Sequence, residues 1–372
     1  MSAALRIWVR AAARRSAAGL VASAVVIAVL GGLALACAAG ARRTSSAYTR
    51  YREANTVSHL SVNSALQEPL GLIEQAAELP GVTSAQTYVA FNALLDRDIE
   101  KYFEAVGSYD GRYLDHDRLA VVDGRLPDRD DPSEAIVNEV VAERYGLGTG
   151  DTVDVDFFTD EQVENPELDP ATEPSAVHAE VRITGVGLFP DEVAQDESDE
   201  QPRIVFTPAL TRPNLDVAAY DWQGLRLEHG AEDVPAVREA YGRILTAEAR
   251  RIGQEIEPGY TGNVQETSDL ADRVQRAVRP HAVALGLFAA ATGLAALVLG
   301  AQAVTRQVRG TEDEQRVLSA IGVGPRPLAV AAAGIGALPA VVGGVGAVAV
   351  AVALSPFFPI GPVRRIEPAS GV

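Results

Sequence analysis

Two uncharged stretches decide the fold of this 372-residue chain. Residues 282–305 read AVALGLFAAATGLAALVLGAQAVT, and residues 327–363 read PLAVAAAGIGALPAVVGGVGAVAVAVALSPFFPIGPV. Each stretch is long enough to cross a bilayer as a helix of about 20 residues. We therefore predict transmembrane helices at 282–305 and 327–354, joined by the short charged segment 306–326.

A third apolar run, at 16–41, lies near the N-terminus. It is longer than the apolar core of a signal peptide, so we predict a retained first transmembrane helix, with a cleaved leader as the alternative. Cys37, the only cysteine, is then a small apolar residue of this helix. The preceding residues 1–15 form a cytoplasmic flank, either an amphipathic surface helix or a plain basic segment.

Charge is distributed unevenly along the chain. Residues 44–280, which we call the acidic domain, carry 20 basic and 46 acidic side chains, a net charge of −26. The remainder carries 12 basic and 4 acidic side chains, a net charge of +8. A domain of such negative charge repels nucleic acid, so we exclude nucleic-acid binding.

The arginines near the apolar runs predict the orientation in the membrane. Short cytoplasmic loops are rich in Lys and Arg, whereas long domains cross regardless of charge. The segment 306–326 contains four arginines, Arg306, Arg309, Arg316 and Arg326. We therefore expect a multi-pass protein of the cell (inner) membrane with a cytoplasmic N-terminus, an extracytoplasmic acidic domain and an extracytoplasmic tail at 355–372.

The acidic domain has the pattern of a mixed α/β fold. Pro80-Gly81 separates a predicted helix from a predicted strand, and similar breaks recur downstream. The predicted helices are 70–79, 139–145 and 234–251, with a stalk helix at 267–280 that continues into the second span. The predicted strands are 82–91, 118–122, 134–138, 152–158, 177–188, 203–206 and 222–227. We expect no regular element in 45–65, 159–175 or 191–200.

Glycines recur every seven residues in two of the spans. Gly286, Gly293 and Gly300 fall on one face of the second span, and Gly336 and Gly343 have the same spacing in the third. Because small residues let helix backbones approach closely, these glycines predict helix packing within the bilayer. General enrichment in glycine and alanine is the alternative explanation.

The segment between the second and third spans contains a predicted short helix. Thr311 and Glu314 have the spacing of a capping box, and Gly322 marks the end of the helix. An apolar face is formed by Val317, Leu318 and Ile321. A helix of about ten residues is unstable alone in water, so we predict a cytoplasmic partner surface; a simple connector is the alternative.

Patterns of catalytic and metal-binding residues are missing from the sequence. The only lysine, Lys101, follows no glycine-rich turn, and the five histidines lack metal-ligand spacing. The acidic cluster 191–200 lacks the spacing of a calcium loop, and Asp154 and Asp156 fit the exposed face of a strand. We therefore expect no enzyme activity, no cofactor and no metal.

Three segments resemble the FtsX/MacB-type permeases of ABC transporters, especially the actinobacterial members. Residues 121–155, VVDGRLPDRDDPSEAIVNEVVAERYGLGTGDTVDV, are similar to the family's extracytoplasmic domain. Residues 312–330, EDEQRVLSAIGVGPRPLAV, are similar to the family's segment between the second and third spans. Residues 353–368, ALSPFFPIGPVRRIEP, are similar to the end of the third span.

This resemblance implies three membrane helices, a MacB-like mixed α/β domain and a role in an ATP-driven machine. It implies that 312–321 is a coupling helix that docks on a cytoplasmic ABC ATPase, that 267–304 transmits motion, and that a second permease unit completes the assembly. The family's unit has a fourth span, so we expect a truncated product or a subunit completed by another chain. A membrane-anchored sensor or scaffold is the alternative function.

Overall fold

The computed structural model describes residues 11, 14–63, 72–165, 169, 171–194, 201–257, 259–310, 312–320 and 322–367. These residues form two compact units. The membrane unit is Met1–Ala47 with Val278–Arg364, and the second unit, Tyr48–Ala277 with Arg365–Val372, corresponds to the acidic domain.

The helices and strands follow one another along the chain with these bounds. The helices are α1 (Ala17–Ala54), α2 (Ile73–Ala77), α3 (Glu139–Tyr145), α4 (Asp160–Glu164), α5 (Pro208–Thr211), α6 (Val234–Ile252), α7 (Thr267–Arg309), α8 (Glu312–Ala320) and α9 (Pro325–Leu354). The strands are β1 (Leu60–Asn63), β2 (Val82–Leu95), β3 (Glu104–Ser108), β4 (Ala120–Gly124), β5 (Glu134–Asn138), β6 (Thr152–Phe158), β7 (Val177–Leu188), β8 (Arg203–Phe206), β9 (Ala218–Leu227) and β10 (Asn263–Glu266).

Three helices of the described residues, α1, α7 and α9, are long and apolar enough to cross a membrane. A helix suits hydrocarbon because it satisfies its own backbone hydrogen bonds. Two hydroxyls in the apolar runs also donate to a carbonyl one turn earlier, Ser23 Oγ to Gly19 O at 2.7 Å and Thr305 Oγ1 to Ala301 O at 2.8 Å. The predicted class, a membrane protein with three transmembrane helices and a mixed α/β domain, is confirmed.

The acidic domain is built on one ten-stranded mixed sheet. Its order is β10-β1-β9-β2-β3-β8-β5-β7-β4, and β6 pairs with both β2 and β7. This double pairing closes six strands, β2-β3-β8-β5-β7-β6, into a ring. Two pairs in the ring are parallel, β3 with β8 and β5 with β7, and the others are antiparallel.

At least three apolar clusters of the described residues pack on this sheet, and two of them hold its ring and its outer strands. Every strand of the ring contributes buried side chains to the first core, in which Phe157 contacts Phe91 and Phe206 with ring centroids 4.7 and 5.4 Å apart. The second core lies between β1, β9 and the helices α2 and α6, and it includes Leu60, Leu225, Tyr241 and Leu245. Closing the ring leaves no free edge on these strands, which protects them from pairing with other chains.

Several predicted bounds match the structure, and others are wrong for identifiable reasons. The bounds of β5, α3, β6, β7 and β8 agree with the prediction. In 45–65, where no element was expected, α1 continues to Ala54 and β1 follows. Buried tyrosines hold this extension, since Tyr51 is fully buried and its hydroxyl donates to Arg118 O at 3.1 Å. These contacts come from distant residues, so the local pattern does not show them.

Three further corrections concern polar segments. The segment 159–175 contains α4, which begins with a capping box between Thr159 and Gln162. The strand β3 is missing from the prediction, because it is only five residues long and contains a glycine. Asp156 is not on an exposed face: its side chain is 1% exposed, and it accepts hydrogen bonds from Arg97 at 3.1 Å and Ser175 at 2.6 Å.

One ion pair of the acidic domain is almost completely buried. Arg112 Nε donates to Asp117 Oδ2 at 3.1 Å, and the two side chains are 4% and 6% exposed. Asp117 also accepts from the backbone N–H of Ser58 at 2.6 Å, and Arg112 donates to Trp222 O at 2.8 Å. Removing one partner from such a pair leaves an uncompensated buried charge.

We expect the Asp117→Ala variant to lose about 3–5 kcal/mol of unfolding free energy, because Arg112 would remain buried without its counter-charge. The measurement is urea unfolding of the full chain in detergent, followed by Trp222 fluorescence in a Trp8→Phe background. The matched control is Asp115→Ala, which removes an ion pair to Arg129 whose side chains are 53% and 44% exposed. This control is expected to cost at most about 1 kcal/mol. Equal losses in the two variants would contradict the role of the buried pair.

Candidate functional site

The loop between the second and third membrane helices contains α8, the short helix predicted from the sequence. Its first turn is acidic, with Glu312, Asp313 and Glu314. Negative charge at this end is favourable, because the helix dipole is positive there. Arg316 pairs with Asp313 one turn earlier at 3.0 Å, but both side chains are largely exposed, so this pair adds little stability.

The C-terminal end of α8 is closed by a Schellman motif. Gly322 has a φ of 91°, a backbone conformation that favours glycine. The N–H of Val323 donates to Leu318 O at 3.1 Å, and the N–H of Gly322 donates to Ser319 O at 3.1 Å. These two bonds satisfy carbonyls that the helix leaves free, so α8 has a defined end.

The apolar residues of α8 are not buried within the chain. Val317 is 65% exposed and Leu318 is half-buried. None of the described residues of α8 is buried. A helix of nine residues with an open apolar side therefore presents a surface that a second molecule could cover.

The predicted site residues are only partly within the described residues. Thr311 and Ile321 lie outside them, so the proposed capping box remains a prediction. Glu314 forms an ion pair with Arg15 at 2.8 Å, with side chains 34% and 65% exposed. This contact joins the loop to the start of the first membrane helix, within the membrane unit. Sequence patterns gave no indication of it, because the two residues are far apart in the chain.

The five glycines predicted to pack helices differ in their surroundings. A Cβ built at Gly343 would lie 2.7 Å from Ile27 Cβ and 2.9 Å from Ala24 O on α1. At Gly336 it would lie 3.1 Å from Val304 Cγ1, and at Gly300 3.6 Å from Ile27 Cγ1. Gly343 therefore lies at a close contact between α9 and α1.

The other two glycines have more space. A Cβ at Gly293 would lie 3.7 Å from Ala34 Cβ, and at Gly286 it would have no described atom within 4 Å. The structure has two further close contacts between α1 and α9 that the seven-residue spacing of glycines did not predict. A Cβ at Gly32 would lie 2.5 Å from Val350 Cβ, and at Gly346 2.8 Å from Ala28 Cβ.

A cavity of about 570 Å³ lies in the acidic domain and was not expected from the sequence. Arg203 on its wall donates to Glu104 at 2.9 Å and to Asp191 at 2.8 Å, and its guanidinium lies over the Phe189 ring at 4.8 Å. Burial raises the pKa of Glu192 to about 7, and the charge of Asp191 adds to this shift. These residues belong to distant segments, which explains why no local motif revealed them.

The acidic segment 191–200 is described only as far as residue 194. Its first two carboxylates are engaged with protein groups: Asp191 binds Arg203, and Glu192 Oε2 accepts from the backbone N–H of Phe189 at 2.9 Å. Among the described residues, no group of three His, Cys, Asp or Glu side chains could hold a metal ion.

Comparisons with known proteins concern the acidic domain. No family model matches the sequence, and no curated protein matches it. The extracellular domain of the ABC-type transporter YknZ from Gram-positive bacteria is similar at 13% identity and a TM-score of 0.33, covering 55% of this chain and 98% of that domain. The periplasmic region of MacB from Actinobacillus actinomycetemcomitans is similar at 10% identity and a TM-score of 0.34, covering 58% of this chain and 91% of that region.

The contrast between Gly343 and Gly286 gives a matched test of helix packing. We expect Gly343→Ala to destabilise the membrane unit by about 1–3 kcal/mol, because the added methyl group overpacks the contact with Ile27. We expect Gly286→Ala to be neutral or slightly stabilising, since alanine favours a helix and has space there. The measurement is thermal unfolding of the detergent-solubilised chain by circular dichroism. An equal midpoint shift for both variants would refute the packing role of Gly343.

Proposed function

We propose that the chain is a permease subunit of an ABC transporter that couples a partner ATPase to motion of an extracytoplasmic domain. The coupling would serve mechanotransmission, export, or the handling of lipoproteins or lipids. The observation that carries the proposal is α8, a defined helix whose Val317 is 65% exposed in the loop between two membrane helices.

The properties of α8 support a docking role over a simple connector. Its C-terminal end is defined by a Schellman motif at Gly322, and its first turn is acidic, which suits the helix dipole. Amphipathic helices bind partners by placing their apolar face in a groove. The coupling surface comprises Val317 and Leu318, together with Thr311, Glu314 and Ile321 from the sequence prediction.

The order of elements supports a role in transmitting motion. The helix α7 is continuous from Thr267, which follows the sheet strand β10, to Arg309, which precedes α8. In the proposal, the ATPase moves α8, and α7 carries this motion to the acidic domain. A helix suits this role because its backbone hydrogen bonds make it a rigid element, and in α7 this hydrogen bonding is interrupted at Pro280, which has no N–H to donate.

The charge distribution supports the proposed topology. The loop with α8 carries four arginines in residues 306–326, as expected of a cytoplasmic segment. The N-terminus is then cytoplasmic, the acidic domain extracytoplasmic, and the location the cell membrane. ATP hydrolysis belongs to a separate cytoplasmic ABC ATPase, because the only lysine follows no glycine-rich phosphate loop. A second permease unit, as a dimer or as a repeat, completes the proposed assembly.

The test is recovery of the ATPase with the tagged chain from detergent-solubilised native membranes, quantified by mass spectrometry. We expect Leu318→Asp to reduce this recovery at least about tenfold, because a charge on the apolar side of α8 would be buried without a partner. The matched control is Ser319→Asp, which adds the same charge to a neighbouring exposed position. This control is expected to retain the ATPase.

Two outcomes would contradict the proposal. If Leu318→Asp retains the ATPase as well as the control does, then α8 is not the docking surface. If the wild-type chain recovers only extracytoplasmic proteins, then the alternative, a membrane-anchored sensor or scaffold, is favoured.

A further inference from the structure

A groove between α1 and α7 has the shape and polarity of a phospholipid site. It encloses about 800 Å³ and is lined by residues from 15–26 on one side and, on the other, by residues from 299–310 together with Glu314. This volume is within the range of about 300–1,000 Å³ that is usual for ligand pockets. All of its lining residues belong to the membrane unit.

One end of the groove is apolar. Its walls there are formed by Val26 of α1 and by Leu299 and Gly300 of α7. The two helices are in van der Waals range here, since a Cβ built at Gly300 would lie 3.6 Å from Ile27 Cγ1. Leu299 is 45% exposed, and an apolar side chain of this kind is favourable against the hydrocarbon of a membrane.

The other end of the groove is polar and basic. Gln307 Nε2 donates to Ser23 Oγ at 3.2 Å across the two helices. Arg15 and Arg306 lie at the rim, together with Glu314. Polarity therefore changes along the groove in the same direction as along a phospholipid, from acyl chain to headgroup.

The length of the groove fits one leaflet. Leu299 on α7 and Gly310, directly after its end, are eleven residues apart, which corresponds to about 16 Å along a helix axis. This is shorter than one leaflet, which is about 20 Å thick with its headgroup region. The basic end then lies at the membrane surface and the apolar end within the hydrocarbon of the same leaflet.

The charges at the rim select the headgroup. Glu314 offsets Arg15, with 2.8 Å between their charged atoms. Arg306 has no ion-pair partner among the described residues, which leaves one positive charge at the rim. A lipid with one net negative charge balances the charge of Arg306, whereas the headgroup of a zwitterionic lipid carries a positive charge that would lie beside this arginine.

We propose that the groove between α1 and α7 binds an anionic phospholipid, with its phosphate at Arg306 and an acyl chain between Val26 and Leu299. Basic pockets between membrane helices on the cytoplasmic side are suited to anionic headgroups. This inference uses the topology of the proposed function but needs no ATPase. Lipid binding by the chain alone tests it, so loss of ATPase docking would leave it standing.

The test is native mass spectrometry of the delipidated full chain in neutral detergent, titrated with phosphatidylglycerol or with phosphatidylcholine. We expect phosphatidylglycerol to bind the wild type more tightly. Arg306→Gln should weaken its binding about fivefold, the effect of one arginine near an anionic lipid surface. The matched control is Arg309→Gln, which removes the same charge from the same helix outside the groove and should leave the affinity unchanged.

A second pair of variants tests the acyl-chain end. Ala303→Leu narrows the groove and should abolish retention of either lipid, whereas Ala291→Leu adds the same bulk to an exposed part of α7 outside it. Ala22→Leu narrows the groove from the α1 side and guards against a folding defect particular to Ala303→Leu. Helical circular dichroism confirms that each variant is folded.

Three results would overturn the proposal. Equal weakening by Arg306→Gln and Arg309→Gln would show a non-specific charge effect. Full lipid binding by both Ala303→Leu and Ala22→Leu would place the lipid elsewhere. Dimers that carry no lipid and disappear in both groove variants would show that a second copy of the chain occupies the groove.

Discussion

The structure depends on one constraint: the backbone cannot leave hydrogen bonds unsatisfied in hydrocarbon. The apolar runs therefore form the long helices α1, α7 and α9, which satisfy their own N–H and C=O groups. The other elements follow these helices in chain order. The acidic domain is inserted between the first and the second, and α8 lies between the second and the third. A chain of this order carries two different kinds of surface, that of an α/β domain and that of a short amphipathic helix.

The acidic domain folds under a different constraint, because it carries many negative charges and has no disulfide. A disulfide within this domain is excluded, because the single cysteine of the chain, Cys37, lies in α1. Stability comes instead from the closed ring of six strands and its aromatic core around Phe157. Several carboxylates inside the domain are paired with arginines, as in Arg112–Asp117 and in Arg203 with Glu104. A buried pair adds little net stability but becomes costly when either partner is lost.

Local pattern predicts the elements that local forces determine. The membrane helices follow from length and apolarity, and β5, α3 and β6 follow from alternation and from glycine breaks, with the observed bounds. Features that depend on distant residues are not visible in the sequence. The end of α1 is polar and is held by Tyr51 against Arg118, and β3 exists because it pairs in parallel with β8. For the glycines, the sequence predicts a shared face, but close contact depends on how the helices meet, so Gly343 is tightly packed and Gly286 is not. The apolar face of α8 is visible in the sequence, whereas its ion pair to Arg15 is not.

The central claim is that the acidic domain and α8 lie on opposite sides of one membrane. Because Cys37 is the only cysteine, a Cys37→Ala background allows single cysteines to be placed at Glu100→Cys in the acidic domain and at Ser319→Cys in α8, both exposed positions. The measurement is labelling of each variant by a membrane-impermeant maleimide, before and after the cells are permeabilised. We predict that the Glu100→Cys variant is labelled in intact cells and that the Ser319→Cys variant is labelled only after permeabilisation. Labelling of both variants from the same side would contradict the topology and, with it, the coupling of a cytoplasmic ATPase to an extracytoplasmic domain.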